Sequence, residues 1–202
     1  MAVLASGTDR LRGFLACRLP DAAARALGER LEPVRLRFHQ GSVRWVPTPN
    51  LHLTLRFLGA IEHTRANALR QALAPVVATL PPLGVELAGL CELPSAGVAR
   101  VIALAVTPTD LLQRLAAAID DVLDDVREHP FTAHVTVVRL KRPGRVLRAE
   151  LLGAVAELAA QEPLSVRLDQ MGLYRSDMTA QGPMYTPVWQ LPFGIAQADK
   201  PS

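Results

Sequence analysis

Cysteine is scarce in this chain of 202 residues: there are two, Cys17 and Cys91, with no CxxC spacing and no metal-ligating neighbours. That excludes a disulfide scaffold and argues for a reduced compartment. Aromatic residues make up only 4% of the chain, so most of them are expected in core or rim packing. No stretch reaches the roughly 18 apolar residues needed to span a bilayer. Met1 to Arg12 is a poor signal peptide, because Ser6, Gly7 and Asp9 interrupt its short apolar patch. Charge of one sign is also modest. The net charge is +3, carried mostly by arginine, which permits an anionic partner but lacks the dense basic block of a sequence-blind DNA binder. Nor is there an H-E-x-x-H motif, a cysteine pair or a carboxylate at ligand spacing, so no metal site is expected. The chain is read as a soluble cytoplasmic protein that binds no membrane, needs no cofactor and is a monomer.

What is present is an ordinary globular balance, half apolar and one-fifth charged, with two periodicities that alternate along the chain. Strands are predicted over Arg12 to Leu19, Val43 to Val46, Leu51 to Leu58, Leu83 to Glu92, Val98 to Val106, Thr132 to Leu140, Leu164 to Tyr174 and Tyr185 to Leu191. Helices are predicted from Asp21 to about Glu32, from Thr64 to Leu80 with a kink or early end at Pro75, from Thr109 to Val126, and from Val146 to Ala160. Gly59 is expected to close the third strand. The order reads as α+β, with two sheet-containing lobes. Residues 1–195 are taken as one domain and 196–202 as a frayed tail.

One feature recurs across the two halves. The strand Leu51 to Leu58 carries His52-x-Thr54, and the strand Thr132 to Leu140 carries His134-x-Thr136. Residues i and i+2 of a strand point to the same side, so each imidazole has a hydroxyl beside it. If the strands face one another, two imidazoles and two hydroxyls converge. A lone H-x-T says little, since threonine is common in strands. Two copies in the same strand context suit phosphodiester cleavage, which needs one proton taken from water and one delivered to the leaving oxygen. Two imidazoles can do both, each role being worth about 10²–10⁴-fold. The hydroxyls would donate to the phosphate oxygens as negative charge builds. His39, His63 and His129 stand outside any such motif and read as exposed.

Several blocks together carry a family likeness: Arg12-Gly13-Phe14-Leu15-Ala16 with Leu19-Pro20, Arg44-Trp45-Val46-Pro47, Asn50 through Gly59, Phe131 with His134 to Arg139, and Leu173-Tyr174-Arg175-Ser176 followed by Gly182 and Tyr185. The sequence resembles the two-histidine phosphoesterase superfamily. Within it, the likeness is to the RNA 2′,3′-cyclic phosphodiesterases, historically called 2′-5′ RNA ligases. The resemblance implies a bilobal α+β fold, with two antiparallel-rich sheets and flanking helices around a central cleft. It also implies metal-free hydrolysis of RNA 2′,3′-cyclic phosphate ends to a 2′-phosphomonoester. His52 would be the proton donor to the departing 3′ oxygen, His134 the proton acceptor from water, and Thr54 and Thr136 would hold the phosphate. The sequence departs from the family at Ala133, usually proline, and at Ala103, where tryptophan is common.

Further substrate contacts are expected at Arg56, Arg139 and Tyr174. Arg56 shares the parity of His52, so it should reach the phosphate. Arg139 has the opposite parity to His134, and only a twist or bulge would bring it round. Tyr174, Phe14 and Trp45 are candidates to stack on a nucleobase, and the basic turn Lys141-Arg142-Arg145 to steer RNA. The alternatives are a reversible 2′-5′ RNA ligase, a small-nucleotide cyclic phosphodiesterase and a non-catalytic RNA-end binding module.

Overall fold

The structure is a computed structural model that describes residues 10–39, 41, 43–94, 98–141, 144–179 and 182–194; the tail at 196–202 and Arg142 of the basic turn lie outside them. In chain order the elements are β1 Arg10–Arg18, α1 Asp21–Arg37, β2 Val43–Trp45, a 3-10 turn Thr48–Asn50, β3 His52–Glu62, α2 His63–Ala78, β4 Leu83–Leu93, β5 Val101–Thr107, α3 Asp110–Leu123, β6 His134–Leu140, α4 Arg145–Ala159, β7 Leu164–Leu168, β8 Gln170–Thr179 and β9 Gly182–Pro192.

The strands alternate apolar and polar residues, so each has one side that must be covered. The covered side carries Leu11, Leu15, Cys17, Leu53, Val135, Val138 and Leu173, packed against Leu27 and Leu31 of α1, Leu69 and Leu73 of α2, Leu115 and Ile119 of α3, and Leu151 and Val155 of α4. Each such leucine, fully withdrawn from water, contributes about 1.5–3 kcal/mol. A second, small cluster of Phe14, Ala16 and Tyr174, backed by Tyr185, occupies the opposite face. The helices therefore bury one face of the sheet and leave the other for a site.

Two sheets were expected, but there is one. Nine strands form a single curled antiparallel sheet in the order β7-β4-β5-β6-β3-β1-β8-β9, with β2 added alongside β6. The two halves are sutured at its centre by one residue pair, Leu53 opposite Val135. Beyond that pair β3 departs from β6, and β2 takes over the vacated edge through Val43 to Trp45 opposite Leu140 to Val138. The cleft opens where the strands part.

Several boundaries differ from the sequence reading for identifiable reasons. Helix α1 continues through Pro33 to Arg37. Pro33 sits on the exposed side, while Leu31 and Phe38 are buried; that burial offsets the roughly 3 kcal/mol cost of an internal proline. Pro75 is likewise carried inside α2. Strand β3 does not end at Gly59. It continues to Glu62 because Gly59 adopts φ 65°, a left-handed conformation that glycine takes without strain, next to a register shift. The run expected as one strand from Leu164 to Tyr174 breaks at Asp169, because β7 pairs with β4 and β8 with β1, in opposite halves of the sheet.

Candidate active site

His52 and His134 are each the first residue of their strand. With Leu53 opposite Val135, the antiparallel ladder sets His52 across from Thr136 and Thr54 across from His134. The two motifs thus meet as a reciprocal pair at the suture.

Both imidazoles are held by the same device. Nδ1 of His52 donates to the carbonyl of Asn50 at 2.6 Å, and Nδ1 of His134 donates to the carbonyl of Thr132 at 2.7 Å. A carbonyl can only accept, so Nδ1 carries the proton in both rings and Nε2 is left as the reactive nitrogen. Asn50 is itself anchored, its side-chain amide donating to the carbonyl of Pro183 at 2.8 Å. The ring of His52 is further wedged between aromatic neighbours, 5.0 Å from Phe14 and edge-on to Tyr185 at 5.2 Å. Thr136, only 9% exposed, is the buried polar residue of the core, and Thr54 is half-buried. Neither hydroxyl is committed to another group among the described residues.

Burial governs the protonation state. The pKa of His52 is pushed down to about 4, chiefly by burial, with the charges of Arg139 and His134 adding to the effect and the Asn50 hydrogen bond opposing it. His134 is also lowered, first by burial and then by Arg139, against the pull of the Thr132 carbonyl. Without an anion between them, both rings are neutral at pH 7. An anion bound beside them would raise both values, because negative charge next to an imidazole favours its protonated form.

The expectations for the two arginines exchange places, and a β-bulge explains each. Along β1, Phe14, Ala16 and Arg18 face the cleft, and they pair with Phe57, Thr54 and His52 respectively. Between Arg56 and Thr54 the register slips, leaving Leu55 without an opposite residue. Arg56 therefore falls on the helix-covered face, not beside His52 as its parity predicts. There it pairs with Asp120 at 3.1 Å and Asp125 at 2.5 Å. Arg127 completes the network, bonding Asp120 and donating to the carbonyls of Leu55 at 2.8 Å and Ala116 at 3.1 Å. On β6 the matching slip falls at Val137: Thr136 pairs with Ala103, but Val138 pairs with Ile102. Arg139 is thereby turned onto the cleft, close enough to lower both histidines. Tyr174 is a second correction. It is 3% exposed, stacked on Phe14 at 5.8 Å, with its hydroxyl accepting from Gln190 at 3.3 Å. It floors a recess of about 20 Å³ beside His52 and offers no open face to a base.

The cleft itself has a volume of about 650 Å³. Sequence reasoning passed over Arg12, Arg44 and Phe57 as wall residues, although all three line it with His52 and Arg139. Simple alternation along β3 would put Phe57 on the core face with Leu53 and Leu55, and the bulge is what moves it to the cleft. The departures from the family pattern are accommodated: Ala103 and Ala133 are both buried, Ala103 lying beside Thr136. His39, His63 and His129 are exposed and line neither cavity. Among the described residues no group of three or more His, Cys, Asp or Glu could hold a metal ion, and no helix is long and apolar enough to cross a membrane.

A single antiparallel sheet thus carries both H-x-T motifs at the one residue pair that joins its halves. The chain belongs to the 2′-5′ RNA ligase superfamily, whose model matches residues 19–180. It is 29% identical over 183 residues to the RNA 2′,3′-cyclic phosphodiesterase of Methanothermobacter thermautotrophicus, covering 88% of this chain and 96% of that one. It is 27% identical to the protein of the same name from Archaeoglobus fulgidus, over 87% of this chain and 96% of the relative. Among solved structures, a protein of Thermus thermophilus superposes with a TM-score of 0.70 at 24% identity, covering 92% of this chain and 99% of that one. Escherichia coli LigT complexed with 3′-AMP gives 0.68 at 22% identity, with the same coverage of both chains. At these identities the structures establish the fold alone.

Proposed function

We propose that this protein hydrolyses the terminal 2′,3′-cyclic phosphate of RNA to a 2′-phosphomonoester by metal-independent acid–base catalysis. The observation that carries the reading is the pair of identically tethered imidazoles, each facing the threonine of the other motif across the suture. The names of the relatives support the substrate class.

In the proposed step, Nε2 of His134 takes a proton from water as the oxygen attacks phosphorus. The bond from phosphorus to the 3′ oxygen breaks, and that oxygen receives the proton from Nε2 of His52. Thr54, Thr136 and Arg139 hold the non-bridging oxygens, where charge accumulates. His52 is neutral in the empty cleft, so it becomes an acid only once the anionic substrate raises its pKa. When protonated in this buried setting it is a strong donor to an alkoxide.

The test is an RNA oligonucleotide carrying a terminal 2′,3′-cyclic phosphate, assayed in excess EDTA, with the position of the product phosphate determined. Turnover to a 2′-phosphate that survives EDTA and is lost in both His52→Ala and His134→Ala is the expected result. Tight binding without turnover would instead make the chain an RNA-end binding module, and loss of activity on chelation would require a metal.

A further inference from the structure

Both imidazoles are tethered through Nδ1 to the carbonyl two residues before them, but the two tethering residues are not held alike. His52 is held by Asn50, whose side-chain amide reaches across 133 residues of sequence to donate to the carbonyl of Pro183 at 2.8 Å. His134 is held by Thr132, which is exposed and whose hydroxyl makes no hydrogen bond among the described residues. The support on that side falls one residue earlier, where Gln113 donates to the carbonyl of Phe131 at 3.2 Å.

Asn50 needs its brace. It closes the 3-10 turn Thr48–Asn50, in which Pro49 has no N–H to give. Two backbone bonds hold that turn, from the Asn50 N–H to Pro47 at 2.8 Å and from the Leu51 N–H to Thr48 at 3.2 Å, and bonds of this 3-10 kind have poor geometry. The bond to Pro183 restrains the turn from outside. Pro183 lies near the start of β9 and lines the cleft. Tyr185, two residues on and so on the same face, sits edge-on to the His52 ring at 5.2 Å. One amide thus acts on the imidazole twice, through the carbonyl that holds Nδ1 and through the strand whose tyrosine packs on the ring. We propose that Asn50 is a positioning residue for the reaction, joining the β9 wall of the cleft to His52 and keeping Nε2 aimed at the leaving oxygen. The asymmetry suits the two roles. A proton donor must meet an oxygen fixed in the substrate, whereas a base works on a water that can adjust its own position. This rests on the reading of His52 as the acid that serves the departing 3′ oxygen.

The experiment measures kcat and KM on an RNA oligonucleotide with a terminal 2′,3′-cyclic phosphate and, in the free protein, the solvent exchange of the His52 Nδ1–H by NMR. Asn50→Ala should lower kcat about 10- to 100-fold with KM within about 3-fold, because a small misplacement of a reacting group costs that much. The Nδ1–H of His52, slowed by its bond to the carbonyl, should exchange at least about 10-fold faster in the same variant. Asn50→Gln keeps an amide donor and should recover at least about 3-fold of the lost kcat. Thr132→Ala, the matching change on the other tether, should cost at least about 5-fold less in kcat than Asn50→Ala. Urea unfolding verifies that each variant is folded, and kcat is taken per folded molecule. A loss of stability with kcat and Nδ1–H exchange unmoved would make the Asn50 bond merely structural and overturn the inference, as would equal losses in Asn50→Ala and Thr132→Ala. Either result leaves the hydrolytic reading standing. If the wild type turns nothing over, the hydrolytic reading falls instead, and the exchange of the Nδ1–H then decides whether Asn50 holds the ring.

Discussion

The two H-x-T strands begin alike and end differently. Each opens on a histidine whose Nδ1 is tied to the carbonyl two residues before it. Each then breaks its own alternation with a bulge, β3 at Leu55 and β6 at Val137. Downstream, β3 sends its arginine to the helices and a phenylalanine to the cleft, while β6 sends its arginine to the cleft. One motif is thereby followed by an exposed aromatic ring and the other by a positive charge. A bulge costs one unpaired position and redirects every side chain beyond it. The groups proposed to react lie before the bulges, and the groups that distinguish the two arms lie after them.

The largest effects should come from the shared part. His52→Ala and His134→Ala should each reduce turnover by about 10²–10⁴-fold. The double variant should fall well short of the product of the two, since neither proton transfer completes the step without the other. A variant retaining wild-type turnover would break the equivalence of the two strands.

Arg139 and Arg56 give the next test, because residue type is constant and only the bulges differ. Arg139→Met should cost about 10- to 100-fold in kcat/KM, the worth of a charge-assisted contact to phosphate. It should also shift the pH profile. Arg139 lowers the pKa of both histidines, so removing it raises both. Each limb of the kcat/KM profile, which reports the free enzyme, then moves to higher pH. A lower rate with unmoved limbs would mean that Arg139 acts at a distance from the imidazoles.

These contrasts define what was legible in the sequence. The α+β class, the four helices and the pairing of His with Thr followed from periodicity over short windows, where alternation is dependable. Arg56 and Phe57 were misplaced, and Arg139 was left conditional, because nothing in Leu55 or Val137 marks a bulge. The slip arises from how β1 and β5 pair with these strands, which is long-range information. The single sheet in place of two hinges on one residue pair, Leu53 with Val135, and no local pattern encodes it. Tyr174 looked available because its hydroxyl and ring suit a base, but the Phe14 cluster that buries it is assembled from distant strands.

Burial of His52 should also make the fold sensitive to acid. His52 titrates near 4 when folded, against an ordinary value of 6.5. The unfolded chain thus binds more protons between these values, so the stabilisation is complete above pH 6.5 and is lost as the pH falls toward 4. The loss is on the order of 3 kcal/mol at most. Urea unfolding at pH 7 and near pH 4 should show a smaller acid loss in His52→Gln than in the wild type. Identical losses would mean that burial does not hold His52 neutral.

The smallest effect is the most specific to the bulge in β3. The side chain of Arg56 is 11% exposed and joins Asp120, which Arg127 also holds, to the more open Asp125. Arg56→Met leaves Asp120 one partner and Asp125 in water, so the cost should be about 1–2 kcal/mol of stability. Turnover per folded molecule should stay within about 2-fold of the wild type, because the guanidinium is on the far side of the sheet from the phosphate. Arg127→Met should cost more, since it also orphans the Leu55 carbonyl at the bulge, and it should lower kcat by loosening Thr54 next to that carbonyl. If Arg56→Met reduces kcat/KM as strongly as Arg139→Met, the bulge does not separate the two arginines, and strict alternation from His52 describes the working strand after all.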